Sequence, residues 1–106
     1  MSVAVLITYR DGAAPARPTY LPLATEDVFA THWLPAARSL GCAWLPLFQS
    51  GAPVPREDLP AVLGELRRLR DHFAAAGPLP LHERSAWLVD ELEKLDPAEI
   101  GEVWIG

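Results

Sequence analysis

Val3-Ala4-Val5-Leu6-Ile7-Thr8-Tyr9 is the segment on which the architecture turns. Val3, Val5, Ile7 and Tyr9 share one face under a period of two, which predicts a half-buried strand. The run is too short to cross a bilayer. With no basic residue ahead of it and no small-residue cleavage site behind it, it does not read as a secretory signal either, so the chain is expected to be cytoplasmic and free of membrane. Asp11-Gly12 signals a turn, and residues 13–18 form a loop by composition, because Pro15 and Pro18 remove backbone donors. Thr19-Tyr20-Leu21 then predicts a return strand, closing a wide hairpin.

At the far end Val103-Trp104-Ile105 predicts a terminal strand. Everything between the two ends favours helix. Thr25 is placed as an N-cap, with Glu26 and Asp27 at the positive end of the helix that follows. Phe29, Trp33, Ala37 and Leu40 recur at helical spacing up to Gly41, and Pro35 is expected to kink this segment or split it in two. Trp44 to Phe48 is apolar around Pro46 and fits either a helical turn closed by Gly51 or a buried extended piece. Leu59, Leu63, Leu66, Leu69 and Phe73 form the clearest stripe, with Val62 beside it and Glu65, Arg67, Arg68, Asp71 and His72 off it. Gly64 interrupts that helix at a cost of about 1 kcal/mol against alanine, which suggests a close helix contact. Leu81 to Leu95 gives a further helix with Leu88, Leu92 and Leu95 inward, stopped by Asp96-Pro97. The expected fold is a single α+β domain over residues 1–106, in which the N-terminal hairpin and the C-terminal strand share a small sheet packed on three to four helices.

The bulk chemistry narrows the function. The chain has 106 residues, half of them hydrophobic, and a net charge of −5. Seven acids and seven arginines balance over residues 1–82, so the excess falls in residues 83–106, where seven acids face only Arg84 and Lys94. This distribution argues against nucleic acid, whose phosphates need a basic surface. Arg67, Arg68 and Arg70 spread around the outer side of a helix and read as a solvated face. Cys42 stands alone, so no internal disulfide forms, and its setting among Gly41, Ala43 and Trp44 predicts a small buried residue.

No catalytic motif is present. The glycines form no phosphate-cradling loop, and there is no G-x-S-x-G nucleophile elbow. His32, His72 and His82 share no ligand spacing with each other or with Cys42, and an H-E-x-x-H reading of His82-Glu83 fails because Ala86 stands where the second histidine belongs. Neither a metal nor any other cofactor is therefore expected. Carboxylates such as Asp90, Glu91 and Glu93 sit beside Lys94 on a leucine-striped helix and read as its solvated face.

Tryptophan, present four times, is the unusual feature. Trp33 and Trp44 lie in apolar surroundings and are expected in the core. Trp87 falls on the flank of its helix shared with Arg84, Asp90, Glu91 and Lys94, and Trp104 points to the strand face opposite Val103 and Ile105, together with Glu102. Indole rings beside acidic side chains are typical of protein interfaces, which makes Trp87, Asp90, Glu91, Glu102 and Trp104 the candidate interaction site.

The pattern Phe29-x3-Trp33, Leu47-Phe48-x2-Gly51, Leu59-x3-Leu63-x-Glu65-Leu66-x2-Leu69, covering residues 29–69, resembles small uncharacterised bacterial α+β proteins and the immunity proteins of polymorphic toxin systems. That resemblance implies a cytoplasmic inhibitor-like protein that binds and blocks a toxin without doing chemistry. The first expectation is thus a non-enzymatic interaction protein with a protein partner or a homodimer. Its alternative is a small-molecule binder or enzyme with a pocket between sheet and helices near Tyr9, Tyr20, His32 and Arg38. A structural module without a ligand is the third.

Overall fold

The computed structural model describes residues 2–10, 12 and 17–106. Four antiparallel strands form one sheet in the order β2-β1-β4-β3, with β1 Ser2–Tyr9, β2 Thr19–Thr25, β3 Ala52–Val54 and β4 Ile100–Ile105. The helices are α1 Glu26–Val28, α2 Leu34–Ser39, α3 Leu59–Ala76 and α4 Leu79–Glu93. The fold is α+β, as the two ends of the chain predict. The hairpin return is longer than Thr19–Leu21, whereas the loop assigned to residues 13–18 lies mostly outside the described residues, as does Asp11.

Alternation positions the strands. Val3, Val5 and Ile7, Leu21 and Leu23, Val54, and Val103 and Ile105 are buried on the inner face, where Leu66, Leu69, Phe73, Leu88, Val89 and Leu92 of α3 and α4 complete the core. Tyr9 is only partly buried, and its hydroxyl bonds that of Thr19. β3 escapes a reading by composition because Pro53 occupies its centre. Proline survives there because β3 is an edge strand, whose outward donors have no partner to lose.

Thr25 caps α1 by accepting the Val28 backbone N–H at 3.2 Å. Between α1 and α2 the chain makes one π turn, Phe29–Trp33, in which the Leu34 N–H reaches back to the Phe29 carbonyl. Pro35 therefore falls in the opening turn of α2, where its missing donor does least harm. The expected kink is a widened turn within one helical run. Pro60 and Pro80 occupy the equivalent first turns of α3 and α4. Gly77 joins those two helices, and a Cβ at this position would lie 2.9 Å from Phe73 Cα, so only glycine fits without displacement. Gly64 is the converse. A Cβ there would meet nothing within 4 Å, which corrects the expectation of a close helix contact.

Leu45–Gln49 is a 3-10 helix, and the Gly51 N–H, at φ 85°, closes it onto the Leu47 carbonyl. The helical alternative for this segment is the one adopted. Asp96 caps the Pro97–Glu99 turn that leads into β4 through the Ala98 N–H.

Candidate functional site

The sheet has one covered face. On the other, β-pairing aligns four side chains in a single row: Leu6 is opposite Tyr20 on β2 and opposite Trp104 on β4, and Trp104 is opposite Pro53 on β3. At the usual strand spacing this row runs about 14 Å across the sheet. Tyr20 is 56% exposed, Trp104 50% and Leu6 38%, and Pro53 is exposed as well. A half-exposed indole at the centre of such a row is uncommon in an isolated domain, because aromatic rings bury large areas whenever a partner surface is at hand.

The Trp104 ring is held in place. Its Nε1 and Cζ2 lie 3.7 and 3.8 Å from where a Cβ on Gly51 would stand, so the indole leans over that glycine at the β3 edge. Beside it opens a groove of about 460 Å³ lined by Leu6, Thr8, Pro53, Arg56, Glu102 and Trp104, among others. Thr8 and Glu102 flank the row, and the Thr8 hydroxyl bonds the Glu102 backbone, accepting its N–H at 3.2 Å. The charges at this border have both signs, Glu102 against Arg56.

The five residues singled out by sequence do not come together. Trp104 and Glu102 share the open face of the sheet. Trp87, Asp90 and Glu91 lie on α4, in the helical layer behind it. Trp87 packs partly against the core under Arg84, whose guanidinium carbon sits 4.8 Å from the ring centroid and whose Nη1 donates to the Pro22 carbonyl at the β2 edge. Glu91 accepts from Lys94 at 3.3 Å, and Asp90 is exposed. Sequence reasoning missed Leu6, Tyr20 and Pro53 as neighbours of Trp104, since strand pairing alone brings them together.

A second constellation is structural. Glu65 is only 5% exposed, and its carboxylate accepts the backbone N–H groups of Ala43, Trp44 and Leu45 at 3.0–3.3 Å. This corrects the placement of Glu65 on the solvated side of α3. Its signal was present: Glu65 follows Val62 by three positions and precedes Leu69 by four, which puts it on the apolar stripe. Burial raises the pKa of the adjacent Cys42 thiol, and the negative charge of Glu65 raises it further. Cys42 is buried, as expected.

The arginine group is dispersed. Arg67 pairs with Glu93 of α4 at 3.4 Å, Arg68 donates to the Leu40 carbonyl at 3.0 Å, and Arg70 contacts Asp71. The residues of the pocket alternative do not converge either. Tyr20 is on the open face, Tyr9 bonds Thr19, and His32 lines a shallow surface groove with His72 that contains neither Tyr9 nor Arg38. Among the described residues no group of three or more His, Cys, Asp or Glu side chains is arranged to hold a metal ion, and no helix is long and apolar enough to cross a membrane. The one buried polar side-chain atom without a partner among the described residues is Trp33 Nε1, inside an aromatic cluster with Phe29 and Phe73. Comparisons with family models, curated proteins and solved structures returned no match to this chain, so its functional reading rests on its own geometry.

Proposed function

We propose that this chain is a small cytoplasmic, non-catalytic protein-interaction domain that docks through the open face of its sheet, with Trp104 at the centre. The observation that carries the reading is the row Tyr20–Leu6–Trp104–Pro53, an apolar band crossing all four strands on the side away from the helices. A buried aromatic anchor ringed by polar groups is the usual energetic core of a protein interface. The net charge of −5 and the engagement of Arg67, Arg68 and Arg70 within the fold favour a protein partner over nucleic acid. The inhibitor-like role implied by the resemblance of residues 29–69 belongs to the same class of non-catalytic interaction proteins.

Affinity capture with the wild-type chain and its Trp104→Ala variant, both verified as folded by circular dichroism, tests it. A protein, including a second copy of the chain, retained by the wild type and lost by the variant supports the assignment. Equal retention by both removes the sheet face from consideration.

A further inference from the structure

Resting on that reading of the open face, we infer that its occupant is a second copy of this chain, packed face to face about a two-fold axis parallel to the strands and midway between β1 and β4. The argument starts from strand order. In β2-β1-β4-β3 such an axis exchanges β1 with β4 and β2 with β3 while preserving position along the strands. Leu6 then lies over the second copy's Trp104, and Tyr20 over its Pro53.

Every contact in the row becomes large on small. The alternation of ring and smaller side chain along Tyr20, Leu6, Trp104 and Pro53 is self-complementary under this one operation. The groove beside Trp104, bordered by Pro53, receives the second copy's Tyr20. Charge agrees. Glu102 falls opposite the second copy's Thr8, a carboxylate against a hydroxyl, so the flanking row sets no like charges against each other.

The edges of the sheet offer no competing route. Pro53 sits in β3 and Pro22 in β2, where the Pro22 carbonyl already accepts from Arg84. Proline in an edge strand removes donors that lateral pairing requires. Association is thereby directed from the edge to the face.

Area sets the strength. Four strands by about six residues give a face of roughly 19 by 20 Å, so two copies bury on the order of 800 Å² of flat face together, below the ~1,200 Å² lower bound of stable specific interfaces. The dimer is therefore weak and concentration-dependent.

Sedimentation of the full chain from about 10 μM to 1 mM tests the inference, at protein concentrations bracketing a Kd of about 100 μM. The expected mass rises from 11.6 kDa toward twice that value. Trp104→Asp should weaken association at least tenfold with an unchanged circular dichroism spectrum. The exchange Leu6→Trp with Trp104→Leu should restore it, because the axis swaps those two positions, whereas Leu6→Trp alone sets ring against ring and should not associate. A chain that stays monomeric at 1 mM overturns the second copy as occupant, and so does a dimer indifferent to Trp104→Asp. Loss of a different captured protein on Trp104→Ala would, in the monomeric case, leave the docking face itself standing.

Discussion

The Glu65 carboxylate, on the core side of α3, accepts the backbone N–H of Leu45 at 3.0 Å from twenty residues away in the chain. Together with the Trp44 and Ala43 amides it holds the start of the 3-10 helix that carries Leu45 and Phe48 into the core. Charge-assisted bonds of this type are roughly twice as strong as neutral ones, and their loss leaves buried donors unsatisfied. Glu65→Ala is expected to destabilise the domain by about 3 kcal/mol, measured by urea unfolding. Calorimetry should show the melting temperature falling by roughly 10 °C or more. A change below about 0.5 kcal/mol would mean that water serves those amides equally well.

Gly64 invites the opposite change. Its neighbourhood has room for a methyl group, and it stands in the interior of α3. Gly64→Ala should stabilise by about 1 kcal/mol through backbone entropy alone. Thermal unfolding checks the sign, and a fall in melting temperature would reveal a contact not visible in the fold.

Cys42 links stability to pH. Its thiol pKa is raised above the ordinary cysteine value in the folded chain, chiefly by burial and then by Glu65. A raised acid binds its proton more tightly when folded, so its contribution is full below the unfolded value and declines as pH rises through the folded one. Denaturant unfolding at pH 7 and pH 10 should therefore show a larger loss for the wild type than for Cys42→Ala. Equal losses in the two proteins would refute the linkage.

Trp104 is half exposed, Trp33 is fully buried and Trp44 and Trp87 are partly covered. In dilute protein, acrylamide should quench mainly the Trp104 emission, and Trp104→Phe should remove most of the quenchable, red-shifted signal while leaving stability within about 1 kcal/mol. Unchanged quenching would place the accessible indole elsewhere.

Much of the fold follows from local pattern. Alternation in Val3, Val5 and Ile7 and the leucine stripes of α3 and α4 each report a buried face directly. β3 was hidden because Pro53 contradicts strand composition everywhere except at an edge, and edge status is a property of the whole sheet. The open face was half legible: alternation turns Trp104 and Glu102 away from Val103 and Ile105, but their neighbours Leu6, Tyr20 and Pro53 depend on register. The flank shared by Trp87 and Arg84 is legible from helical spacing, but that the guanidinium lies over the indole and reaches the Pro22 carbonyl depends on the packing of α4 against β2. The charge of Glu65 points to solvent, whereas its spacing is that of a core residue.

The π turn at Phe29–Trp33 has a consequence for how this chain tolerates change. It amounts to one surplus residue in a helical run, and that surplus lets Pro35 begin a fresh turn. Deleting a single residue there would restore regular winding, drive the pyrrolidine ring into the preceding carbonyl and rotate Trp33 by about 100° from its aromatic neighbours. The position of Pro35 thus depends on the widened turn before it, so a one-residue deletion in Phe29–Trp33 is tolerated only together with a replacement of Pro35.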